Sequence, residues 1–217
     1  MRILHLDFDD LGHPWGGGQA RRTYEINRRL AETHGWEITV VTGAYPGATR
    51  RQVPVSRGRL VYQRAGGGPF PLNVFSFLAA QPLLAARHPH DLLVENFTTP
   101  IGPAGTSLWS RSPTIGSAQF FFADQMTRKY RLPFRTAERA LLRTYRHLIA
   151  LTQAVAVRLC AGSPRADVTV IPQGLNPDDF SHVSHPDPLD SGGDHVLYLG
   201  RLIRVLLDRA AQATPTR

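Results

Sequence analysis

The opening stretch, residues 1–31, constrains the fold of this chain more than any other. Residues 3–8 are an apolar run rich in strand formers, and a turn-forming segment leads from them to Gly16, Gly17 and Gly18. A helical pattern begins directly behind the glycines, which gives the order strand, glycine loop, helix N-terminus. The free amides and the positive dipole end of a helix attract anions, and glycine lets the backbone approach them closely. The stretch therefore predicts a phosphate site.

Strands and helices continue to alternate along most of the chain. Residues 37–42 (EITVVT) form a β-branched run typical of a strand buried on both faces, and they complete a βαβ unit with a right-handed crossover. Further strands are predicted at residues 59–64, 91–97, 113–119 and 147–152, with helical spacing between most of them. The pattern predicts an α/β fold, a Rossmann-like doubly wound parallel sheet of roughly six or seven strands.

Ligands of such a sheet collect at the carboxyl ends of its strands. The glycine loop lies at that edge, and the ends of two further predicted strands place residues 95–99 and 119–122 there as well. Glu95, Asn96 and Gln119 are therefore candidate ligand-binding side chains.

The segment of residues 120–134 combines aromatic and basic side chains and is predicted to be a loop. Core packing with a solvated face explains this composition, and contact with a ligand or a membrane surface is the alternative. Residues 72–86 form the longest apolar run, but polar residues and a proline interrupt it, and it is shorter than a membrane span. We expect a buried or interfacial helix there.

The glycine loop does not match the two common nucleotide motifs. A Walker A loop continues with Gly-Lys-Ser/Thr, which is missing. A dinucleotide fingerprint has a third glycine or alanine where Arg21 stands, and no acidic residue ends the second strand, which argues against an oxidoreductase or epimerase. Asp7, Asp9 and Asp10 lack the threonine or valine of a phosphatase motif, because Leu11 takes its place. Loop solvation explains these aspartates as well as a metal would, and we expect no metal.

Composition narrows the class of protein further. The net charge is +8, but Lys129 is the single lysine, and the arginines are scattered instead of forming a basic run with stacking aromatics. We therefore expect no nucleic-acid partner. Cys160 is the single cysteine, which excludes a disulfide framework within one chain. The N-terminus enters a strand with no signal-peptide pattern, so the expected location is cytoplasmic.

The composition changes near the end of the chain. Residues 176–194 are rich in Pro, Asp, Ser and Gly, as linkers are, and residues 195–201 (HVLYLGR) resume as an apolar strand. One strand and one helix cannot bury each other as a domain. The expected organisation is a Rossmann-like domain over residues 1–175, a linker over 176–194 and the start of a second domain over 195–217.

Three stretches, in this order, resemble the glycosyltransferases of family 4, which have the GT-B fold. They are residues 16–26 (GGGQARRTYEI) with the strand 37–42, residues 170–176 (VIPQGLN) with Phe180, and residues 196–202 (VLYLGRL). The resemblance implies a transferase that moves a sugar from a nucleotide diphosphate donor to an acceptor hydroxyl without a metal or other cofactor. The N-terminal domain would bind the acceptor, which is a sugar or a lipid-linked molecule. Peripheral contact at the inner face of the membrane stays open as the alternative for the aromatic and basic segment of residues 120–134.

The resemblance also implies roles for particular residues. Gly16, Gly17 and Gly18 would face the phosphates of the donor, and Arg201 matches an arginine of the nucleotide-sugar domain. Glu95, Asn96 and Gln119 would lie on the acceptor side.

Two departures from the family pattern matter. Many members carry a histidine where Ala118 and Gln119 stand, which leaves the catalytic residues unassigned. Residues 202–217 lack the lysine expected after Arg201 and the two family glutamates. We therefore expect a truncated transferase that is inactive alone, with a separately encoded C-terminal domain as a partner. The alternative is a non-catalytic Rossmann module that binds a ligand or a partner protein.

Overall fold

A computed structural model describes residues 1–13, 16–69, 72–98, 104–119 and 121–174. The expected linker, the expected start of a second domain and Arg201 lie outside the described residues. Within them, the chain forms one sheet of eight strands with five α-helices and a short 3-10 helix at Thr106–Leu108.

The element bounds follow the chain order. The strands are β1 (Arg2–Leu6), β2 (Glu37–Gly43), β3 (Arg51–Val53), β4 (Arg59–Ala65), β5 (Leu92–Phe97), β6 (Thr114–Ala118), β7 (His147–Ala150) and β8 (Asp167–Val170). The helices are α1 (Gly18–His34), α2 (Leu72–Arg87), α3 (Ala123–Tyr130), α4 (Phe134–Leu142) and α5 (Gln153–Gly162).

The sheet has the strand order β3-β4-β2-β1-β5-β6-β7-β8. All neighbouring pairs are parallel except β3 and β4, which are antiparallel. β1 lies near the centre, where Leu6 pairs with Val41 of β2 and with Glu95 of β5. This topology confirms the Rossmann-like parallel sheet and brings the carboxyl ends of β1, β5 and β6 side by side.

Apolar clusters pack on the sheet and hold its helices. Ile3, Ile38 and Val40 belong to one cluster, which Tyr24 and Leu30 of α1 join. A second cluster brings Phe77 of α2 against Leu4 and Leu6, among others. A third surrounds Leu148 of β7. Burial on this scale is the main stabilising term, and it fixes α1 directly behind the end of β1.

Helix α1 ends at Gly35, which adopts φ 69° as its C-cap and returns its amide to the carbonyl of Ala31. Glycine adopts this left-handed conformation without steric cost, which allows the helix to end there.

The structure corrects two sequence predictions. The predicted loop of residues 120–134 contains α3, a helix that buries only Ala123 among its described residues and has no capping side chain. Its apolar side chains Ala123, Met126 and Tyr130 recur at helical spacing, but the helix is short and lacks a capping side chain, so the sequence signal is weak. Packing against α4 stabilises it. Strand β3 lies between β2 and β4 in the chain, where no strand was predicted, because it is too short to show a periodic pattern.

Candidate functional site

The carboxyl edge of the sheet is organised around Asp7, the first residue after β1. Its side chain is fully buried and accepts four hydrogen bonds. Oδ1 accepts from the Asp9 amide at 3.0 Å and from Gln19 Nε2 at 2.6 Å. Oδ2 accepts from Thr23 Oγ1 and Asn96 Nδ2, both at 2.6 Å. One carboxylate therefore joins the end of β1 to helix α1 and to strand β5.

A second buried polar contact, between Asn27 of α1 and His5 of β1, lies in the same interface as the Asp7 cluster. Nδ2 of Asn27 lies 2.9 Å from Nδ1 of His5, and the same amide donates to the Thr23 carbonyl at 2.8 Å. Burial lowers the pKa of His5, which favours its neutral form. The interface between α1 and β1 is thus polar at Thr23 and Asn27, although both residues are buried.

Asp10 plays a structural part of its own. Its carboxylate forms an ion pair of 2.7 Å with Arg64 of β4 and accepts from the Thr42 hydroxyl at 2.9 Å. Asp7 and Asp10 are both buried, so the prediction that loop solvation accounts for them is wrong. Their charges are compensated by hydrogen bonds and by Arg64 instead.

The glycine loop connects these aspartates to the N-terminus of α1. The Gly17 amide donates to Asp9 Oδ2 at 3.1 Å, and the Arg21 amide closes the first helical turn on the Gly17 carbonyl. Within the described part of the chain, no residue accepts a hydrogen bond from the amides of Gly18, Gln19 or Ala20, as is usual for a first helical turn. These three amides can receive an anion.

Gly16 is required for a steric reason. A Cβ atom at Gly16 would lie 2.4 Å from the Asp10 carbonyl oxygen and 3.0 Å from the His13 carbonyl oxygen. At Gly18 no atom of the described residues lies within 4 Å of such a Cβ atom. The close packing of the loop therefore requires glycine at position 16, whereas the space around position 18 would accept a side chain.

Asp9 is the carboxylate closest to this loop. Burial raises its pKa, and the hydrogen bond from Gly17 acts in the opposite direction. With Phe8, His13 and Asn73, Asp9 lines a cavity of about 60 Å³ at this edge. A larger cavity of about 270 Å³ lies at the opposite edge of the sheet, between the amino ends of β1, β2 and β4.

The three predicted acceptor-side residues lie in different surroundings. Asn96 belongs to the Asp7 cluster. Glu95 faces the other side of the sheet, where its buried carboxylate accepts from the Tyr145 hydroxyl and from the Thr106 amide. Burial raises the pKa of Glu95. Gln119 follows the end of β6 and is 6% exposed.

Sequence reasoning missed Arg22, which reaches from α1 to the end of β6. Its guanidinium donates to Ser117 Oγ at 3.3 Å, and burial lowers the pKa of this arginine. Ser117 pairs with Asn96 across β5 and β6. No local sequence pattern indicates this contact, because it depends on which strands become neighbours in the sheet.

The described residues show neither a metal-binding cluster nor a membrane-spanning helix. They contain no group of three or more His, Cys, Asp or Glu side chains arranged to hold a metal ion. None of their helices has both the length and the apolar character that crossing a membrane requires.

A mostly parallel sheet with helices connecting its strands defines a Rossmann-like domain. Residues 16–179 match the family model of Glycosyltransferase Family 4, and the chain belongs to this family. No match to a curated protein sequence was found.

Two solved structures are similar to this fold. The first is described as "Trehalose-6-phosphate from E. coli bound with UDP-2-fluoro glucose"; it has 11% identity and a TM-score of 0.54, and the match covers 98% of this chain and 54% of that one. The second is a glycosyltransferase from Rickettsia africae, with 12% identity, a TM-score of 0.47 and coverage of 97% and 48%. This chain thus spans about half the length of these structures, and the fold agrees with one half of a GT-B enzyme.

Proposed function

We propose that the described domain is the acceptor-binding half of a transferase that moves a sugar from a nucleotide diphosphate donor to an acceptor hydroxyl. Membership of Glycosyltransferase Family 4 supports glycosyl transfer in general. The observation that carries the finer proposal is the open first turn of α1 beside the glycine loop, at the edge where parallel sheets bind ligands.

The first turn of α1 suits the leaving group of this reaction. As the sugar departs, negative charge grows on the diphosphate, and the amides of Gly18, Gln19 and Ala20 can donate to it. The first turn contains no acidic side chain that would oppose this charge. The dipole of a helix of 17 residues adds a favourable field at the same end. The proposal requires no resident metal or other cofactor.

The acceptor is proposed to be a sugar or a lipid-linked sugar bound at the ends of β5 and β6. Asn96 and Gln119 lie at this edge, and Nε2 of Gln119 has no hydrogen-bond partner among the described residues. The role of Glu95 on the acceptor side stays a prediction. Its hydrogen bonds with the Thr106 amide and the Tyr145 hydroxyl give it a structural role on the other side of the sheet.

We further propose that residues 1–217 do not transfer sugar alone. The described domain supplies one wall of a two-domain cleft, and the lysine and glutamates that the family resemblance implies for the other wall do not occur in residues 202–217. The partner would be a nucleotide-sugar-binding domain.

The test is a transfer assay of residues 1–217, alone and with a family nucleotide-sugar domain supplied as a second chain. We expect no turnover alone and measurable transfer with the second domain. Transfer by residues 1–217 alone, at a rate comparable to that of two-domain family members, would refute the inactivity. An absence of transfer with every donor domain tried, together with no nucleotide binding, would refute the proposed reaction.

One observation favours a non-catalytic alternative, a Rossmann module that holds a ligand or a partner protein. The Asp9 carboxylate already accepts the Gly17 amide, and its negative charge lies where donor phosphates would approach. If Asp9→Asn tightens nucleoside diphosphate binding but no second domain yields transfer, the alternative is the better description.

A peripheral membrane contact is proposed at α3 and the residues that follow it. Tyr130 and Leu132 are 49% and 53% exposed, beside the basic side chains of Arg128, Lys129 and Arg131. Amphipathic surfaces of this composition bind anionic lipids. We expect co-sedimentation with anionic vesicles that Leu132→Ser weakens, and an absence of binding to any vesicle would contradict the contact.

A further inference from the structure

We propose that Arg22, Ser117 and Gln119 form a subsite for an oxyanion, a phosphate or carboxylate group carried by the acceptor. The subsite lies at the carboxyl end of β6, beside α1. The inference rests on the proposed function and names the class of acceptor that it would use.

Arg22 is the first observation. Its side chain is only partly exposed, and a guanidinium has five N–H donors. Within the described residues, its one hydrogen bond is the 3.3 Å contact to Ser117 Oγ, and no carboxylate lies within ion-pair distance. Water can satisfy the remaining donors of this partly exposed guanidinium in the free protein, so they are available to an anionic ligand.

The nearest carboxylate does not fill this role. Asp7 raises the pKa of Arg22 through its negative charge, while burial of Arg22 acts in the opposite direction and is the stronger effect. The oxygens of Asp7 are already taken by the Asp9 amide, Gln19, Thr23 and Asn96. Asp7 therefore moderates the local charge but leaves the guanidinium available.

Gln119 is the second, independent observation. Its side chain is more than nine-tenths buried, and Nε2 has no hydrogen-bond partner among the described residues. Gln119 follows Ser117 by two residues, and alternate residues of an extended chain face the same side. Its amide is therefore directed toward the side of the sheet on which Arg22 meets Ser117.

The chemistry of these groups selects the ligand. A guanidinium and an unpartnered amide offer N–H donors from two elements, and charge-assisted hydrogen bonds to phosphate or carboxylate are the strongest that such donors form. Together they fit a sugar that bears an oxyanion.

This subsite differs from the position proposed for the donor. Donor phosphates would approach the backbone amides of Gly18 and Gln19, whereas the acceptor oxyanion would contact the side chains of Arg22 and Gln119. The two events can be distinguished by nuclear magnetic resonance, because they shift different signals.

The experiment titrates labelled residues 1–217 with inorganic phosphate, glucose 6-phosphate, glucuronate and glucose. We expect the three oxyanion probes to shift the Arg22 Nε–H and Gln119 side-chain amide signals, and glucose to leave them unchanged. Arg22→Met should weaken oxyanion binding by at least about tenfold, because a charge-assisted contact is lost. Arg22→Lys, which keeps the charge, should recover part of the affinity.

Arg21→Met is the matched control. Arg21 is the neighbouring arginine of α1, its side chain is 50% exposed, and it pairs with Glu25 at 3.0 Å. Its loss should leave oxyanion affinity within about twofold of the unsubstituted chain, since an exposed ion pair contributes little. Circular dichroism checks that each variant folds, and the signals of the unsubstituted chain give a result even if Arg22→Met does not.

Two results would overturn the inference. One is equal oxyanion affinity in the unsubstituted chain and Arg22→Met. The other is a phosphate response at the Gly18 and Gln19 amides alone, which would make the donor loop the phosphate site. The proposed function fails on a different readout, the absence of sugar transfer with a second domain, so the two failures are distinguishable.

Discussion

Replacing Asp7 with asparagine tests whether this one carboxylate assembles the ligand edge. The substitution keeps the volume but exchanges one acceptor oxygen for an NH₂ donor. If the donor takes the place of Oδ2, it faces Thr23 Oγ1 and Asn96 Nδ2; if it takes the place of Oδ1, it faces Gln19 Nε2 and the Asp9 amide. In the first orientation two buried donors lose their acceptor, and in the second two partly buried donors do.

Hydrogen bonds to a charged group contribute about 1.5–3 kcal/mol each, and an unsatisfied buried donor adds a desolvation cost. We therefore expect Asp7→Asn to lower the free energy of unfolding by about 3–5 kcal/mol, after partial relief by rotation of Thr23 or by amide flips. Such a loss is a large part of the stability of a typical domain, but it does not require complete unfolding.

Urea unfolding followed by circular dichroism measures this change. Asp91→Asn is the control, because Asp91 is an exposed carboxylate paired with Arg2 at 2.8 Å, and exposed pairs contribute little. We expect its unfolding curve to match that of the unsubstituted chain. An Asp7→Asn protein within 1 kcal/mol, roughly the weight of one neutral hydrogen bond, would refute the central role of Asp7.

Further predictions concern the glycine loop and Glu95. Gly16→Ala should lower the free energy of unfolding by about 1–3 kcal/mol because its Cβ would meet backbone oxygens, whereas Gly18→Ala should be neutral or stabilising by up to about 1 kcal/mol; equal effects in thermal unfolding would contradict this. Burial raises the pKa of Glu95 above its ordinary 4.5, so the folded protein keeps a proton that the unfolded chain releases, and stability should fall as pH rises from 4.5 through the folded pKa. Glu95→Gln should remove that decline, and an unchanged pH dependence of unfolding would refute the assignment.

The sequence predicts the frame of the fold well, for a physical reason. Strands buried on both faces, such as β2 and β5, show as continuous apolar runs, and glycines mark the start and end of α1. These signals are local, so they can be interpreted without knowing which strands and helices pack against each other. The family resemblance rests on the same stretches and is confirmed by the match over residues 16–179.

The polar cluster at the ligand edge could not be predicted in the same way. Asp7, Thr23 and Asn96 belong to three elements, and only the neighbouring positions of β1 and β5 bring them together. Buried Thr23 and Asn27 lie on the inward face of α1, where a periodicity argument expects apolar side chains. Polar residues at such inward helix positions are the local sequence signal of a buried hydrogen-bond network.

Helix α3 shows the opposite limit. It has eight residues, too few for a helix to be stable alone, and contact with α4 supplies the stability that its short apolar stripe does not. The prediction of a loop there failed because tertiary packing outweighed weak local preference. The helix does not contradict the membrane hypothesis, because Tyr130 and Leu132 are exposed.

The central claim is that this domain binds the phosphates of a nucleotide diphosphate sugar at the first turn of α1. A backbone amide map recorded during titration with UDP-glucose tests it most directly. We expect shifts at the amides of Gly18, Gln19 and Ala20. Shifts confined to the opposite edge of the sheet, at the cavity lined by Arg2, Glu37 and His90, would contradict it.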